Sequence, residues 1–417
     1  MPFLKRESLS LQKNKPTQVL NPVDCQKSNL GSEGGEIMER ILPFNDDHKM
    51  FQVAFAKFVA SEMVPYYADW EDQSLVSREV FKKMGDLGFL CPWVAEEYGG
   101  SGADFLYSVI VAEEIARQGC RGVFAWLHSD IVAPYIGTYG TEEQKARWLP
   151  GITSGEQILA VAMTEPGAGS DLAAMRTRAV KDGSDYVING SKTFISNGIL
   201  SDLVIVAAKT DTSAGAKGIT LFVVEYGTPG FSKGKQIPKV GLHAQDTTEL
   251  FFEDCRVPAA NILGGEGNGF KCLMQKLQQE RIMVSLVAQA SAERCLELTL
   301  DYVKTRIIFG KPLSKFQNTK FVLAEIASEI QVGRSFIDQL VLQHMAGKDV
   351  VQEVSMAKYW ICEMENRVAS RCLQLFGGYG FCKEYEISRM WTDARIQTIY
   401  AGTSEVMKLV ISRGLGL

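Results

Sequence analysis

Thr164-Glu165-Pro166-Gly167-Ala168-Gly169-Ser170-Asp171 packs two glycines, a proline, two hydroxyls and two carboxylates behind the apolar run Leu159 to Met163. Such a loop leaves the backbone free to approach a flat or phosphorylated ligand, and Thr164 and Ser170 offer hydroxyls to it. Alone it also reads as an ordinary turn. Three further segments follow in order: Gly190-Ser191-Lys192-Thr193-Phe194-Ile195-Ser196-Asn197-Gly198, Gln374-Leu375-Phe376-Gly377-Gly378-Tyr379-Gly380 and Tyr400-Ala401-Gly402-Thr403-Ser404-Glu405. Paired glycines after an apolar helix, as at Gly377-Gly378, suit close approach by a ligand. The run Gln278-Gln279-Glu280-Arg281 adds a carboxylate near the start of a long helical stretch. On composition alone that carboxylate reads as an exposed helix Glu paired with Arg281 or Lys276. His128 and His243 have no metal-ligating neighbour in sequence, so a satisfied structural role is expected for each and no metal site is assigned.

The elements that must position these residues come in three blocks. From Asp46 to about Ser154 the period is helical. Asp46 or Asp47 is placed to cap a helix over Met50 to Ala68, Ser77 and Asp104 begin others, and Thr141 with Gln144 forms a capping-box pattern. After Glu156 short β-prone runs take over: Leu159 to Met163, Arg178 to Val180, Tyr186 to Ile188, Leu203 to Ala207, Gly218 to Val224 and Leu250 to Phe252. Asp182-Gly183, Asn189-Gly190 and Asn197-Gly198 read as hairpin-type turns between them. From Gly269 the helical period returns, in stretches over Phe270 to Arg306, around Val322 to Val341, over Val351 to Leu375 and over Ile387 to Ser412. Long helices with short links argue a bundle. The expected class is α+β, with a helical domain over 38–157, a β-domain over 158–268 and a four-helix bundle over 269–417.

At 417 residues the chain has room for two or three domains. A net charge of −5 without a basic run argues against a nucleic-acid partner, and no apolar run approaches membrane-spanning length, so a soluble protein without a membrane partner is expected. Nine dispersed cysteines without a C-x-x-C pair read as reduced thiols. Residues 1–37 carry scattered lysines, a single Arg and little periodicity. They read as a disordered tail or as sequence upstream of a true start at Met38, with a transit peptide as the competing reading.

In their order, the four segments resemble the signature set of the acyl-CoA dehydrogenase flavoenzymes, from about Asp46 to the C-terminus. That resemblance implies FAD, an acyl-CoA substrate, a homotetramer and electron-transfer flavoprotein as acceptor, in a bacterial cytoplasm or a mitochondrial matrix. It implies removal of the C2 proton of the thioester while the C3 hydrogen passes as hydride to flavin N5. Most members place the catalytic Glu where Ala401 stands, and Ala401 cannot take a proton. The run ending Glu280-Arg281 looks like the base position of the long-chain and isovaleryl branches, which makes Glu280 the expected base. The Ala401 N–H and a flavin hydroxyl are then the expected donors to the thioester oxygen. By the same likeness, Val161, Met163, Thr164, Phe194 and Ser196 meet the flavin ring, with Phe194 standing where relatives carry Trp. Ser170 is expected near the phosphates of CoA and flavin, and Arg281 and Gly402 at the substrate. Arg306, Phe309, Gln317, Gln374, Gly377 and Gly378 are expected to reach the FAD of a neighbouring subunit, and Thr403 and Glu405 to lie near the ADP moiety of FAD. The segment Gly241 to Asp254 and the run from Phe194 look most like the long-chain subgroup.

Asp130 departs from that subgroup, which carries Gly there. A carboxylate facing an alkyl chain is costly to desolvate. Either Asp130 points away, or the acyl group is cyclic, short or branched, of the cyclohexane- or cyclohexene-carboxyl type, and Asp130 is a second acid–base group. Two rival functions stay open on the same fold: an oxidase or monooxygenase whose flavin is reoxidised by oxygen, and a non-catalytic flavin- or CoA-binding protein.

Overall fold

The computed structural model describes residues 40–417, so the reading of residues 1–37 and Cys25 lie outside the described residues. The first block is helical: α1 (Asp46–Glu62), α2 (Tyr67–Gln73), α3 (Arg78–Asp86), α4 (Phe105–Arg117), α5 (Ala133–Tyr139) and α6 (Glu142–Thr153). Ser77, Asp104 and Thr141 cap α3, α4 and α6 as their sequences predict, and Gln144 completes the capping box on Thr141. Two expectations fail at α1. Its cap is Asn45, whose side chain accepts from the His48 N–H, and neither Asp46 nor Asp47 serves. The helix also stops at Glu62 instead of running to Ala68, because Pro65, inside the short 3-10 turn Val64–Tyr66, has no N–H to continue the ladder.

The second block is one eight-stranded sheet. Its strands are β1 (Leu159–Ala162), β2 (Arg178–Asp182), β3 (Asp185–Ser196), β4 (Leu203–Lys209), β5 (Ile219–Glu225), β6 (Phe231–Gln236), β7 (Thr247–Pro258) and β8 (Ile262–Leu263). The order is β6-β7-β3-β2-β4-β5-β8, with β1 parallel to β4 in the register Leu159↔Leu203 and Val161↔Ile205. Along β4, Leu203, Ile205 and Ala207 join the large core shared with the helices, while Val204, Val206 and Ala208 build the sheet's own core. Both faces are covered, which is why β4 reads as a continuous apolar run.

Of the three expected turns, only Asp182-Gly183 closes a hairpin, with Asp182 opposite Asp185. Asn189-Gly190 lies inside β3, where the ladder to β7 shifts between Ile188 and Gly190. Gly190 has φ of 151°, and a Cβ there would run into Thr177, so the glycine serves a bulge and not a turn. Asn197-Gly198 ends β3 but leads to β4, which pairs with β1, β2 and β5.

The third block holds α7 (Gly269–Thr305), the two short strands β9 (Ile307–Ile308) and β10 (Lys311–Pro312), α8 (Gln317–Met345), α9 (Val351–Phe376), α10 (Glu386–Ala394) and α11 (Ser404–Gly414). Ile326, Ile330, Ile337 and Val341 form the buried stripe of α8. From Glu280 to Ala292, α7 is buried all round. A helix enclosed on every side runs through the middle of a core instead of lying on one. No described helix is long and apolar enough to cross a membrane.

Candidate active site

Glu280 opens the fully enclosed part of α7. Its residue is 8 % exposed, and Oε2 has no hydrogen-bond partner. Burial pushes its carboxyl up to about 7, against the opposing pull of the Arg281 and Lys358 cations. A carboxylate of that kind is a base poised near neutrality. The expected surface pairing with Arg281 is absent. Arg281 is itself buried and turns to Ser355, donating from Nη1 to Oγ at 3.2 Å. It lies beside the C-terminal turn, with Nη2 3.8 Å from where a Cβ on Gly402 would sit. Ala401 and Gly402 both have positive φ, 53° and 95°, and the Lys358 ammonium donates to the Gly402 carbonyl at 2.6 Å. One short constellation therefore holds Glu280, Arg281, Lys358 and the Ala401-Gly402 turn.

The loop after β1 is anchored from below. Lys192, fully buried, donates to the Met163 carbonyl at 3.1 Å and pairs with Glu165 at 2.8 Å. Glu165 accepts from the Arg176 and Thr177 N–H groups, and the Thr193 N–H donates to the Thr164 carbonyl at 2.9 Å. These bonds bring Met163 and Thr164 against the end of β3, so the Val161-Met163-Thr164 and Phe194-Ser196 groups are neighbours. Phe194 is 65 % exposed and has φ of 58°, leaving an aromatic face uncovered. Ser170 lies exposed on the loop beyond them.

A groove of about 530 Å³ gathers Arg306, Gln374, Gly377 and Gly378, with Tyr302 and Tyr379 in its wall. A Cβ at Gly377 or Gly378 would meet nothing within 4 Å, so the backbone there is open to a ligand. The Arg306 guanidinium lies 5.4 Å from the Tyr379 ring centre. Phe309, at 93 % exposed, and Gln317 stand free on the surface nearby in sequence. Thr403 and Glu405 line a separate concavity of about 380 Å³ with Glu363, Asn366 and Arg395. An elongated cofactor with a flat ring and a phosphate-bearing arm fits this donor set: an open glycine-lined groove, a guanidinium and a hydroxyl-bearing loop.

Asp130 sits in a π-helical turn, Leu127–Val132. Its residue is 1 % exposed, neither carboxylate oxygen has a partner, and burial pushes the group up to about 7, with Ser108 opposing. Ser108 belongs to α4, whereas the groups that act on Glu280 are Arg281 and Lys358. The backbone of Asp130 is tied to the residue before Glu280: the Gln279 side chain donates to the Asp130 carbonyl at 2.7 Å. We expect Asp130→Asn to reduce bound flavin nearly as fast as the parent; a large drop would give Asp130 the acid–base role. His128 meets its expected structural role: its Nδ1 accepts from the Leu159 N–H and its Nε2 faces the Ile152 carbonyl, each at 3.1 Å.

Sequence reasoning gave Lys192 and Gln279 no role within the runs it singled out, and it missed Lys358. Lys358 carried a signal, because it falls at helical spacing between Val354 and Ile361 on a buried stripe where a charge is out of place.

The chain matches the N-terminal domain of acyl-CoA dehydrogenase over residues 45–156, its middle domain over 160–255 and its C-terminal domain over 267–416. It is 48 % identical over 372 residues to the mitochondrial long-chain specific acyl-CoA dehydrogenase of Sus scrofa, covering 89 % of this chain and 86 % of that one. The crystal structure of an acyl-CoA dehydrogenase from Geobacillus kaustophilus superposes with a TM-score of 0.89 at 54 % identity, covering 91 % of this chain and all of that one. A structure titled as the electron transferring flavoprotein of Acidaminococcus fermentans gives 0.86 at 37 % identity, covering 91 % and 99 %. The chain belongs to the acyl-CoA dehydrogenase family, FAD-dependent oxidoreductases of fatty acid β-oxidation.

Proposed function

We propose that this chain converts an acyl-CoA thioester to the 2-enoyl-CoA with Glu280 as the C2 base. The observation that carries the reading is the Glu280 carboxyl, buried, with Oε2 unpartnered and raised to about 7, beside a turn whose residue 401 has no side chain able to take a proton. The C2 proton goes to Glu280, and the Ala401 N–H holds the thioester oxygen as negative charge gathers there. FAD, when bound, supplies the acceptor for the C3 hydrogen as hydride. Val161, Met163, Thr164, Phe194 and Ser196 hold the ring end of that cofactor, Ser170 its phosphates, and Arg281 with Gly402 the substrate. The likeness to long-chain enzymes makes long straight acyl chains the substrate class assigned. Electron-transfer flavoprotein is the acceptor assigned.

Arg306, Phe309, Gln317, Gln374, Gly377, Gly378, Thr403 and Glu405 serve the cofactor arm, the first six from a neighbouring subunit. Helix geometry supports that assignment. Arg306 follows the last residue of α7, which puts it roughly 38 Å along the helix axis from Glu280 at 1.5 Å per residue, farther than one FAD reaches. The groove therefore suits the cofactor of a second copy, and a homotetramer built from two such dimers is the assembly inferred. The protein is expected to release FAD, and not FMN, on denaturation and to weigh as a tetramer; an active monomer would remove the shared-site reading.

The test of function is anaerobic bleaching of the bound flavin by a panel of straight, branched, cyclic and dicarboxylic acyl-CoA thioesters. Fast bleaching by long straight chains is expected. No bleaching by any thioester would favour a non-catalytic protein, and rapid peroxide formation in air an oxidase.

A further inference from the structure

Lys358 stands beside the site with no part in the chemistry assigned above. It lies on α9 and is 0 % exposed. Its one hydrogen bond among the described residues runs from Nζ to the Gly402 carbonyl at 2.6 Å. An ammonium carries three donors, and a single neutral acceptor returns only part of what it loses on leaving water. The charged and titratable groups that act on it come from three helices: Cys362 on its own α9, Glu280 and Arg281 on α7, and Glu405 on α11.

Its acceptor belongs to an unusual piece of backbone. Ala401 and Gly402 are consecutive left-handed residues, and the alanine at φ of 53° holds that conformation without the freedom of a glycine. A Cβ on Gly402 would come within 2.5 Å of Met407 Cε, so the turn is pressed against α11 on one side and lies near Arg281 on the other. Backbone in a sparsely populated region persists only where its surroundings hold it. The Lys358 bond supplies such a hold.

We propose that Lys358 is a positioning residue, whose bond to the Gly402 carbonyl keeps the Ala401-Gly402 turn in the left-handed conformation that aims the Ala401 N–H at the thioester oxygen. The inference rests on the proposed roles of Glu280 and of the Ala401 N–H. Negative charge grows on the thioester oxygen as the C2 proton leaves, so a fixed donor matters more in the transition state than in the bound ground state. Loosening the turn therefore costs rate more than binding. Removing the Lys358 charge also withdraws one of the two cations that favour ionised Glu280, so the titration of the base moves to higher pH.

The experiment compares FAD-loaded wild type with Lys358→Met, Lys358→Gln and Lys358→Arg. Four quantities are read: FAD content, thioester affinity, the rate of anaerobic flavin reduction against pH, and the pH at which a bound 3-ketoacyl-CoA enolises. Enolisation is followed by its own ultraviolet absorbance, which reports the oxyanion donors without hydride transfer. Lys358→Met should keep FAD and bind thioester nearly as before. It should reduce flavin on the order of 10- to 100-fold more slowly, with its pH profile shifted up. It should also enolise the ketoacyl ligand only at higher pH, and Lys358→Arg should recover most of both losses. If Lys358→Met is not recovered folded, the comparison is Lys358→Gln against Lys358→Arg. A neutral variant that reduces flavin and enolises the ligand like wild type overturns the proposal, as does an equal loss of binding and rate. Glu280→Gln run alongside keeps the two readings apart: wild-type reduction in that variant defeats the base assignment, while the Lys358 effect on enolisation is judged on its own.

Discussion

Glu280→Gln should retain FAD and acyl-CoA binding while anaerobic flavin reduction slows on the order of 100- to 10,000-fold, the usual worth of a positioned general base. The amide matches the carboxyl in shape, so the loss belongs to the chemical step and not to binding. In the parent the rate should climb with pH through about 7, where Glu280 ionises, and level off above it. The stability consequence runs the other way. A buried carboxyl whose folded pKa is raised above its unfolded value destabilises the fold once pH exceeds the unfolded pKa, most fully above about 7. Glu280→Gln should therefore melt higher than the parent at pH 8 and lose that advantage below pH about 4.5. Ala401→Glu added to this variant should restore part of the rate, because the family places its base at that position as well. An unchanged reduction rate in Glu280→Gln would remove the residue from the chemistry.

Arg334→Met should cost on the order of 3–5 kcal/mol, because it takes the shared central cation from three largely buried carboxylates, Glu113, Glu293 and Asp338, and leaves Arg40 and Arg117 alone to offset them. Arg334 donates from Nη1 to Glu113 at 2.5 Å and from Nε to Glu293 at 2.8 Å, and it approaches Asp338 at 3.3 Å. Arg40 closes the network with contacts of 2.7 Å to both Glu113 and Asp338, and Arg117 reaches Glu293 at 3.1 Å. The cluster joins α4, α7 and α8. A drop of about 5 °C in the melting midpoint follows from that cost and the entropy of unfolding a chain of this length. Burial raises the Glu113 carboxyl, but Arg334, Arg40 and Arg117 outweigh it and hold the group at about 2. The network's contribution is therefore present above the ordinary Glu range near pH 4.5 and is lost as pH falls towards 2. The gap between parent and variant should narrow over that window. A constant gap from pH 7 to pH 3 would mean that the loss comes from packing and not from charge.

The sequence by itself determined the order of helical, β and helical blocks, because periodicity and caps such as Thr141 with Gln144 act within a few residues. It determined the family from four short segments. It also determined that residue 401 cannot be the base, since an alanine side chain has no proton acceptor. It misread Asn189-Gly190 as a turn, because an Asn-Gly pair carries the same local signal in a hairpin and in a bulge, and only pairing with β7 separates them. It placed Glu280 as the base only by likeness; on its own residues, a Glu beside an Arg on a polar helical turn reads as exposed. The tertiary structure decided otherwise by enclosing α7 on every side from Glu280 onward and turning Arg281 to Ser355. It alone placed Lys358 against Gly402. Desolvation and the fields of Arg281 and Lys358 set the chemistry of that carboxyl, and both depend on α9 and the Ala401-Gly402 turn, segments far from Glu280 along the chain, which no local pattern could report.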